Sequence, residues 1–382
     1  MPSRPSGPSA TTGHRHGSVR AMVGTPSSEP RRDDVIEGIE GIEGIDVPAV
    51  TDWIQTHVAG AEPPFQFQLI AGGRSNLTYR VTAADGRTMA LRRPPVSHVL
   101  PTAHDMRREH TVISALRPTG IPVPEPLGLC MDESVNGAPF YVMDFVEGHI
   151  VRDDESAAAL SEPARRAASW SLVDTLARLH AVNVDEVGLG DFGRREGYIS
   201  RQLQRWHGQF SQSPAAGVPG PAIVDRVYEL LSQRIPEQQG VGIVHGDYRL
   251  DNTVMDDEGT VKAILDWEIC TLGDPLADLG LLLVYWAEPG DTPALTGVAP
   301  TALPGFASRR ELLDRYTAAS GRDTSTVPYY RAFGYWKLAC ILQGVHARYV
   351  GGAAAGDRTG VDRFAAQVAL LGEQAYAEVT SL

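Results

Sequence analysis

From Asp46 onward the apolar residues recur with two alternating periods. Val47, Val50, Ile54 and Val58 fall on one side of a helix that Asp46 can cap. Phe65, Phe67 and Leu69 then alternate with glutamines, and Leu77, Tyr79 and Val81 alternate likewise, which predicts two strands. A third strand, 89–92, follows the Asp85-Gly86 turn. A helix is predicted over 103–116, stopped before Pro118, with Met106, His110 and Ile113 on one side and Glu109 inside it. Two more strands, 127–131 and 140–145, complete an antiparallel sheet with one helix. Beyond Glu147-Gly148 the period becomes helical over 163–180, 198–210, 222–234, 275–286, 309–320, 329–349 and 363–379. One β-rich interruption, 242–267, reads as a short hairpin. The expected architecture is α+β: a small antiparallel-sheet lobe over 46–147 and a larger, mostly helical lobe over 148–382.

Residues 1–45 stand apart. They are rich in Pro, Ser, Gly and Arg, and the Ile-Glu-Gly triplet occurs three times over 36–44. Such a composition does not repay the entropy of ordering, so this stretch is expected to be a disordered leader.

Charge and composition narrow the chemistry. The chain has 382 residues with 34 Lys+Arg against 47 Asp+Glu, a net charge of −13. Only two of the cations are lysines, Lys262 and Lys337, and neither is followed by Ser or Thr, so a phosphate-binding P-loop is excluded. The acidic balance and scattered arginines argue against nucleic acid as a partner and are compatible with cationic substrates. Cys130, Cys270 and Cys340 lie far apart, which suits a reducing cytoplasm and no cysteine-built zinc site. The longest apolar run, near 279–287, is about half of the roughly 20 residues a bilayer span needs, so no membrane segment is expected.

The interruption carries the candidate chemistry. An apolar strand leads into His245-Gly246-Asp247, Asn252 follows Asp247 by five residues, and a second strand leads into Asp266. Phosphoryl transfer needs a carboxylate for the attacking hydroxyl's proton and oxygen ligands for the Mg²⁺ that bridges the phosphates. The kinase catalytic loop has this His-x-Asp spacing with Asn five residues after the Asp, and Asp266 occupies the place of the metal-binding aspartate. Single Asp and Asn residues near a turn often make only side-chain turns; the joint pattern points to catalysis.

These segments, together with Gly72-Gly73-Arg74-Ser75-Asn76, Leu91-Arg92-Arg93, Arg108-Glu109, the stretch 139–148 and Gly273-Asp274-Pro275 through Asp278, give the chain a resemblance. It is similar to the aminoglycoside phosphotransferase family of protein-kinase-like enzymes, above all to the branch also found fused to acyl-CoA dehydrogenase domains. The resemblance covers about residues 50–380. It implies a two-lobed kinase-like fold, Asp247 as catalytic base, and Asn252 and Asp266 as Mg²⁺ ligands. It also implies nucleotide contacts from Gly72, Gly73, Ser75 and Asn76 over the phosphates. Met143, Asp144, Phe145 and Val146 would form the hinge at the base, and Glu109 would pair with a cation on the third strand. The donor would be ATP or GTP and the acceptor a hydroxyl of a small molecule, either aminoglycoside-like or a hydroxylated acyl thioester.

The third strand departs from the kinase pattern. It offers no lysine; Arg92 occupies the lysine's position, and Arg93 is the alternative. Gly188-Leu189-Gly190-Asp191-Phe192-Gly193 matches a dinucleotide fingerprint and contains Asp-Phe-Gly, but it follows a helix and precedes the catalytic loop, so it reads as a loop. Two other readings compete. A nucleotide-binding pseudokinase is favoured only by the Arg-for-Lys change. A protein kinase is disfavoured by Arg249, where a lysine is usual, and by the absence of Ala-Pro-Glu after Asp266.

Overall fold

A computed structural model of the chain describes residues 42–71, 76–96, 105–212, 222–291, 299–350 and 361–382. Helix α1 (Val47–His57) starts where Asp46 accepts a hydrogen bond from Ala49 N at 3.1 Å. Strands β1 (Gln66–Ala71), β2 (Leu77–Thr82) and β3 (Thr88–Arg93) are followed by α2 (Met106–Leu116), capped by Asp105. Then come β4 (Pro126–Cys130), the short α3 (Glu133–Asn136) and β5 (Phe140–Asp144). The five strands form one antiparallel sheet in the order β1-β2-β3-β5-β4.

Alternation decides what each face of this sheet does. Met89, Leu91, Phe140 and Val142 pack with Val50 and Ile54 of α1 in one apolar cluster. Ala90, Tyr141 and Met143 point the other way, toward α2 and the larger lobe. Arg92 pairs with Tyr141 in register and shares that second face. Arg93 belongs to the first face and is buried there.

The packed chain begins earlier than its composition implied. Ile45 is buried and Ile42 packs beside it on the α1 cluster. The Tyr79 hydroxyl donates to Glu43 O and Arg93 donates to Gly44 O. The third Ile-Glu-Gly repeat therefore belongs to the fold, because its isoleucines reach an apolar surface that the local composition does not reveal. Residues 1–41 lie outside the described residues.

The larger lobe contains α4 (Asp154–Ala159), α5 (Glu162–Ala181), α6 (Tyr198–Gln212) and α7 (Ala222–Gln233). The β-rich stretch follows as β6 (Gly242–Val244), β7 (Thr253–Met255), β8 (Val261–Ile264) and β9 (Thr271–Gly273). It is not one hairpin. β7 pairs with β8 across the turn, whereas β6 pairs with β9, so the catalytic loop is pinned by two separate two-stranded ribbons. β9 has three residues and a distant partner, which leaves it without a local signature.

The chain ends in α8 (Leu276–Tyr285), α9 (Arg309–Ser320), α10 (Val327–Val350) and α11 (Val361–Thr380). α8 is buried along most of its length and packs on α10 at Gly280, where an added Cβ would sit 2.5 Å from Tyr330 Cβ and 2.6 Å from its carbonyl carbon. Backbone cannot retreat as a flexible side chain can. Gly280→Ala is therefore expected to destabilise the protein by about 1–3 kcal/mol, read as a lowered denaturant midpoint with an unchanged slope.

Candidate active site

The cleft between sheet and catalytic loop is built around Arg92. Its Nε lies 2.9 Å from Glu109 Oε2, a close ion-pair contact without hydrogen-bond alignment, and its Nη2 donates to Asp266 Oδ1. Glu268 Oε2 is 3.9 Å away. Burial works against the Arg92 charge, but Glu109, Tyr141 and Asp266 outweigh it and raise the pKa. Glu109 is fully buried on α2 and also accepts from Tyr141 Oη at 3.0 Å and from Asn76 Nδ2 at 2.6 Å. Burial pushes its carboxyl up, with Arg92 pulling the other way. Asn76 reaches onward to Glu268 at 3.3 Å, so it stitches α2 to the segment after β8. Burial and the Asp266 charge raise the Glu268 carboxyl. Arg93 does none of this: it holds Gly44 O, and Asn136 O at 3.1 Å, on the opposite face.

The catalytic loop is rigidly braced. Asp278, at the start of α8, accepts from His245 N at 2.6 Å and Gly246 N at 2.8 Å, and His180 Nε2 lies 3.4 Å away. Burial opposes the Asp278 charge, but the His180 contact and the Gly246 N–H hold its pKa below the ordinary value. His245 Nδ1 accepts from Asp247 N at 3.2 Å, so its Nε2–H donates to Leu265 O at 2.8 Å. That bond ties the loop to the segment bearing Asp266. Asp266 itself has φ 62°, a left-handed conformation costly for a residue with a Cβ. Asn252 Nδ2 donates to Asp247 O at 2.8 Å and to Asp247 Oδ2 at 3.0 Å, which turns its amide oxygen to the other side.

Asp247 and Asp266 carboxylates with the Asn252 amide are all oxygen donors, the chemistry that Mg²⁺ takes. Among the described residues no three His, Cys, Asp or Glu side chains gather into a metal cage. A Mg²⁺ held by one or two protein oxygens and by phosphates needs none, so the residues fit the ion.

Met143 lies on the cleft face beside Ala90. The neighbouring hinge backbone is partly engaged: Asp144 N donates to Glu125 O at 2.9 Å and Phe145 N to Thr88 O at 3.4 Å. Val146 follows directly. Gly72, Gly73 and Ser75 lie outside the described residues, and Asn76 sits in the cleft network at the start of β2. The Gly188–Gly193 stretch is a loop whose Phe192 ring lies 3.7 Å under the Arg108 guanidinium.

On the far side of Asp247 is a cavity of about 450 Å³. Tyr285 lines it beside Asp247; burial and then the Asp247 charge push its phenol well above the usual value, so it stays a donor. Arg249 also lines it, with Nε 3.3 Å from Asp247 Oδ2 and 2.9 Å from Asp251 Oδ1. Arg152, Arg309 and Arg331 bring three further guanidiniums, against the carboxylates of Asp251, Asp291 and Glu378. Sequence reasoning missed these arginines because they come from segments far apart in the chain. No residue of α6 or α7 lines the cavity; these helices pack on α10 and, for α7, on α11.

Comparison with known proteins agrees with this geometry. Residues 66–312 match the model of the phosphotransferase enzyme family, APH. Acyl-CoA dehydrogenase family member 10 of Mus musculus is 36% identical over 304 residues, covering 78% of this chain and 28% of its own length. Acyl-CoA dehydrogenase family member 11 of Homo sapiens is 33% identical over 314 residues, covering 80% of this chain and 40% of its own. The chain thus spans well under half the length of these relatives. A crystal structure from Ralstonia eutropha, assigned as an aminoglycoside phosphotransferase, superposes with a TM-score of 0.72 at 32% identity, covering 87% of this chain and 98% of that one. The GDP complex of aminoglycoside 2'-phosphotransferase-IIIa has a TM-score of 0.57 at 13% identity over 87% and 99% of the two chains, which shows a shared fold. The fold is protein-kinase-like, with a small sheet lobe and a larger helical lobe. The chain belongs to the phosphotransferase enzyme family.

Among the described residues no helix is long and apolar enough to cross a membrane.

Proposed function

We propose that the protein transfers the γ-phosphoryl group of ATP or GTP to a hydroxyl of a small molecule. The observation that carries this reading is the convergence of Asp247, Asn252 and Asp266 opposite the Arg92–Glu109 pair. Asp247, oriented by Asn252, accepts the acceptor hydroxyl's proton as that oxygen attacks. Asn252 and Asp266 would hold Mg²⁺, which when bound would neutralise charge on the phosphates. Arg92 is the phosphate ligand, exchanging its Asp266 contact for phosphate oxygens, while Glu109 keeps it in the cleft. The family resemblance assigns Gly72, Gly73, Ser75 and Asn76 to the phosphates. Met143 and the 144–146 backbone meet the base, with Val146 supplying the N–H that Asp144 and Phe145 have already committed. Residues 46–147 act as the nucleotide lobe and 148–382 as the catalytic and acceptor lobe.

For the acceptor, the similarity to acyl-CoA dehydrogenase family members over most of the chain, with the wall of Tyr285, Trp286 and Tyr335, favours a hydroxylated acyl thioester over a polycationic aminoglycoside. Arg249, Arg309 and Arg331 are paired with Asp251, Glu288, Asp291 and Glu378, so the cavity's charge does not choose between them. The protein-wide charge of −13 bears less on this than the local residues do. The pseudokinase reading lacks support from the site, where base and both metal positions are present, and Arg249 occupies the position where a protein kinase usually has lysine.

The test is labelled transfer. With γ-labelled ATP or GTP and Mg²⁺, label is expected to appear on a hydroxyacyl thioester in preference to an aminoglycoside. Chelation with EDTA is expected to abolish transfer, and added Mg²⁺ to restore it. Label on neither compound, with no metal-dependent nucleotide hydrolysis, would remove the proposal; label on added proteins would favour a protein kinase.

A further inference from the structure

Five backbone groups of the 245–247 turn have side-chain partners. Asp278 takes His245 N and Gly246 N, His245 takes Asp247 N, and Asn252 takes Asp247 O. The fifth, Gly246 O, accepts from Lys337 Nζ at 2.8 Å, and this partner comes from the middle of α10, 91 residues away.

Lys337 is an expensive choice for that position. It is 6% exposed and one of two lysines in the chain. Taking an ammonium out of water is unfavourable unless it is compensated, and burial lowers the Lys337 pKa accordingly. The compensation is the Gly246 carbonyl, the Trp206 ring with its centroid 5.7 Å from Nζ, and the fields of Asp247 and Asp278; Arg205 opposes it. A core position needing only bulk would be filled by Leu or Met without that cost.

The peptide it holds is the one that carries Asp247. Gly246 has φ +88° and packs its open side on Ile269, so this turn can take conformations closed to other residues. Glycine permits the turn, and the ammonium selects one orientation of its carbonyl.

We propose that Lys337 is a positioning residue for phosphoryl transfer: by donating to Gly246 O it fixes the peptide that aims the Asp247 carboxylate. This rests on the phosphotransferase reading above. Placement errors of about 1 Å at a reacting centre cost on the order of 100-fold in rate, so the role predicts a loss in turnover separate from binding.

The test compares wild type, Lys337→Met and Asp247→Asn in Mg²⁺-dependent hydrolysis of ATP or GTP, with water as acceptor, alongside nucleotide affinity and thermal midpoint. Lys337→Met is expected to lower kcat about 10- to 100-fold while KM and Kd for nucleotide stay within about threefold and the thermal midpoint holds or rises. Wild-type kcat in this variant, or a loss of kcat that parallels lost affinity and a fallen midpoint, would overturn the positioning role. Wild-type protein without turnover dependent on Asp247 would overturn the phosphotransferase reading and this role with it. Should Lys337→Met not fold, Lys337→Gln is judged by the same criteria.

Discussion

Asp247→Asn is expected to reduce phosphoryl transfer by about 10²- to 10⁴-fold with nucleotide affinity almost unchanged. The substitution keeps the shape of the side chain and an oxygen that can accept from Asn252 Nδ2, the partner now 3.0 Å from Asp247 Oδ2. It removes the proton acceptor. The loop should not shift, because its backbone is held by Asp278, His245 and Lys337 rather than by the Asp247 carboxylate. The measurement is a single-turnover rate with labelled nucleotide beside a direct binding titration. A residual rate within about fivefold of wild type, far short of the loss that removing a general base predicts, would assign the base elsewhere.

Arg92→Ala is the second large effect, and it acts on binding and stability together. The variant loses the cation assigned to the phosphates, and it strands Glu109, whose side chain is 1% exposed, without its counter-charge. Breaking one side of a buried pair costs about 3–5 kcal/mol. Burial already raises the Glu109 carboxyl, and removing Arg92 raises it further. Glu109 then tends to bind a proton on folding, so the variant's stability should fall as pH rises through the Glu109 folded-state pKa. Nucleotide affinity is expected to fall about 30-fold or more, the equivalent of some 2 kcal/mol. Arg93→Ala should instead weaken the fold around Gly44 and Asn136 and leave nucleotide affinity within about twofold, since its charge faces away from the cleft. Unchanged nucleotide binding in Arg92→Ala, with a loss in Arg93→Ala, would reverse the assignment.

The choice between these two arginines shows what can be read without coordinates. In a strand, neighbours point to opposite faces, so one residue of register separates a cleft ligand from a core anchor. The apolar alternation around Leu91 carries that information, but which face meets the catalytic loop depends on where α1 and α2 pack. Spacing pointed to Asp247, Asn252 and Asp266 because all three lie within 20 residues, counting from Asp247 through Asp266, in the segments that flank the β7–β8 hairpin. Helices such as α6 and α7 were legible because one apolar face repeats over several turns, and caps such as Asp46 announce themselves locally.

Other features have no local trace. The pairing of β6 with β9 and the reach of Lys337 to Gly246 each join segments with little mutual signal in sequence. The arginine-lined cavity is the same kind of feature: Arg152, Arg249, Arg309 and Arg331 are ordinary cations in four separate stretches. Sequence by itself determined the family and pointed to phosphoryl transfer, because that chemistry needs a few oxygen ligands at short, fixed spacing. Only the tertiary structure decided which arginine enters the cleft, what holds the catalytic turn and what charge meets the acceptor. Those depend on burial and on contacts between distant segments, which chain order does not record.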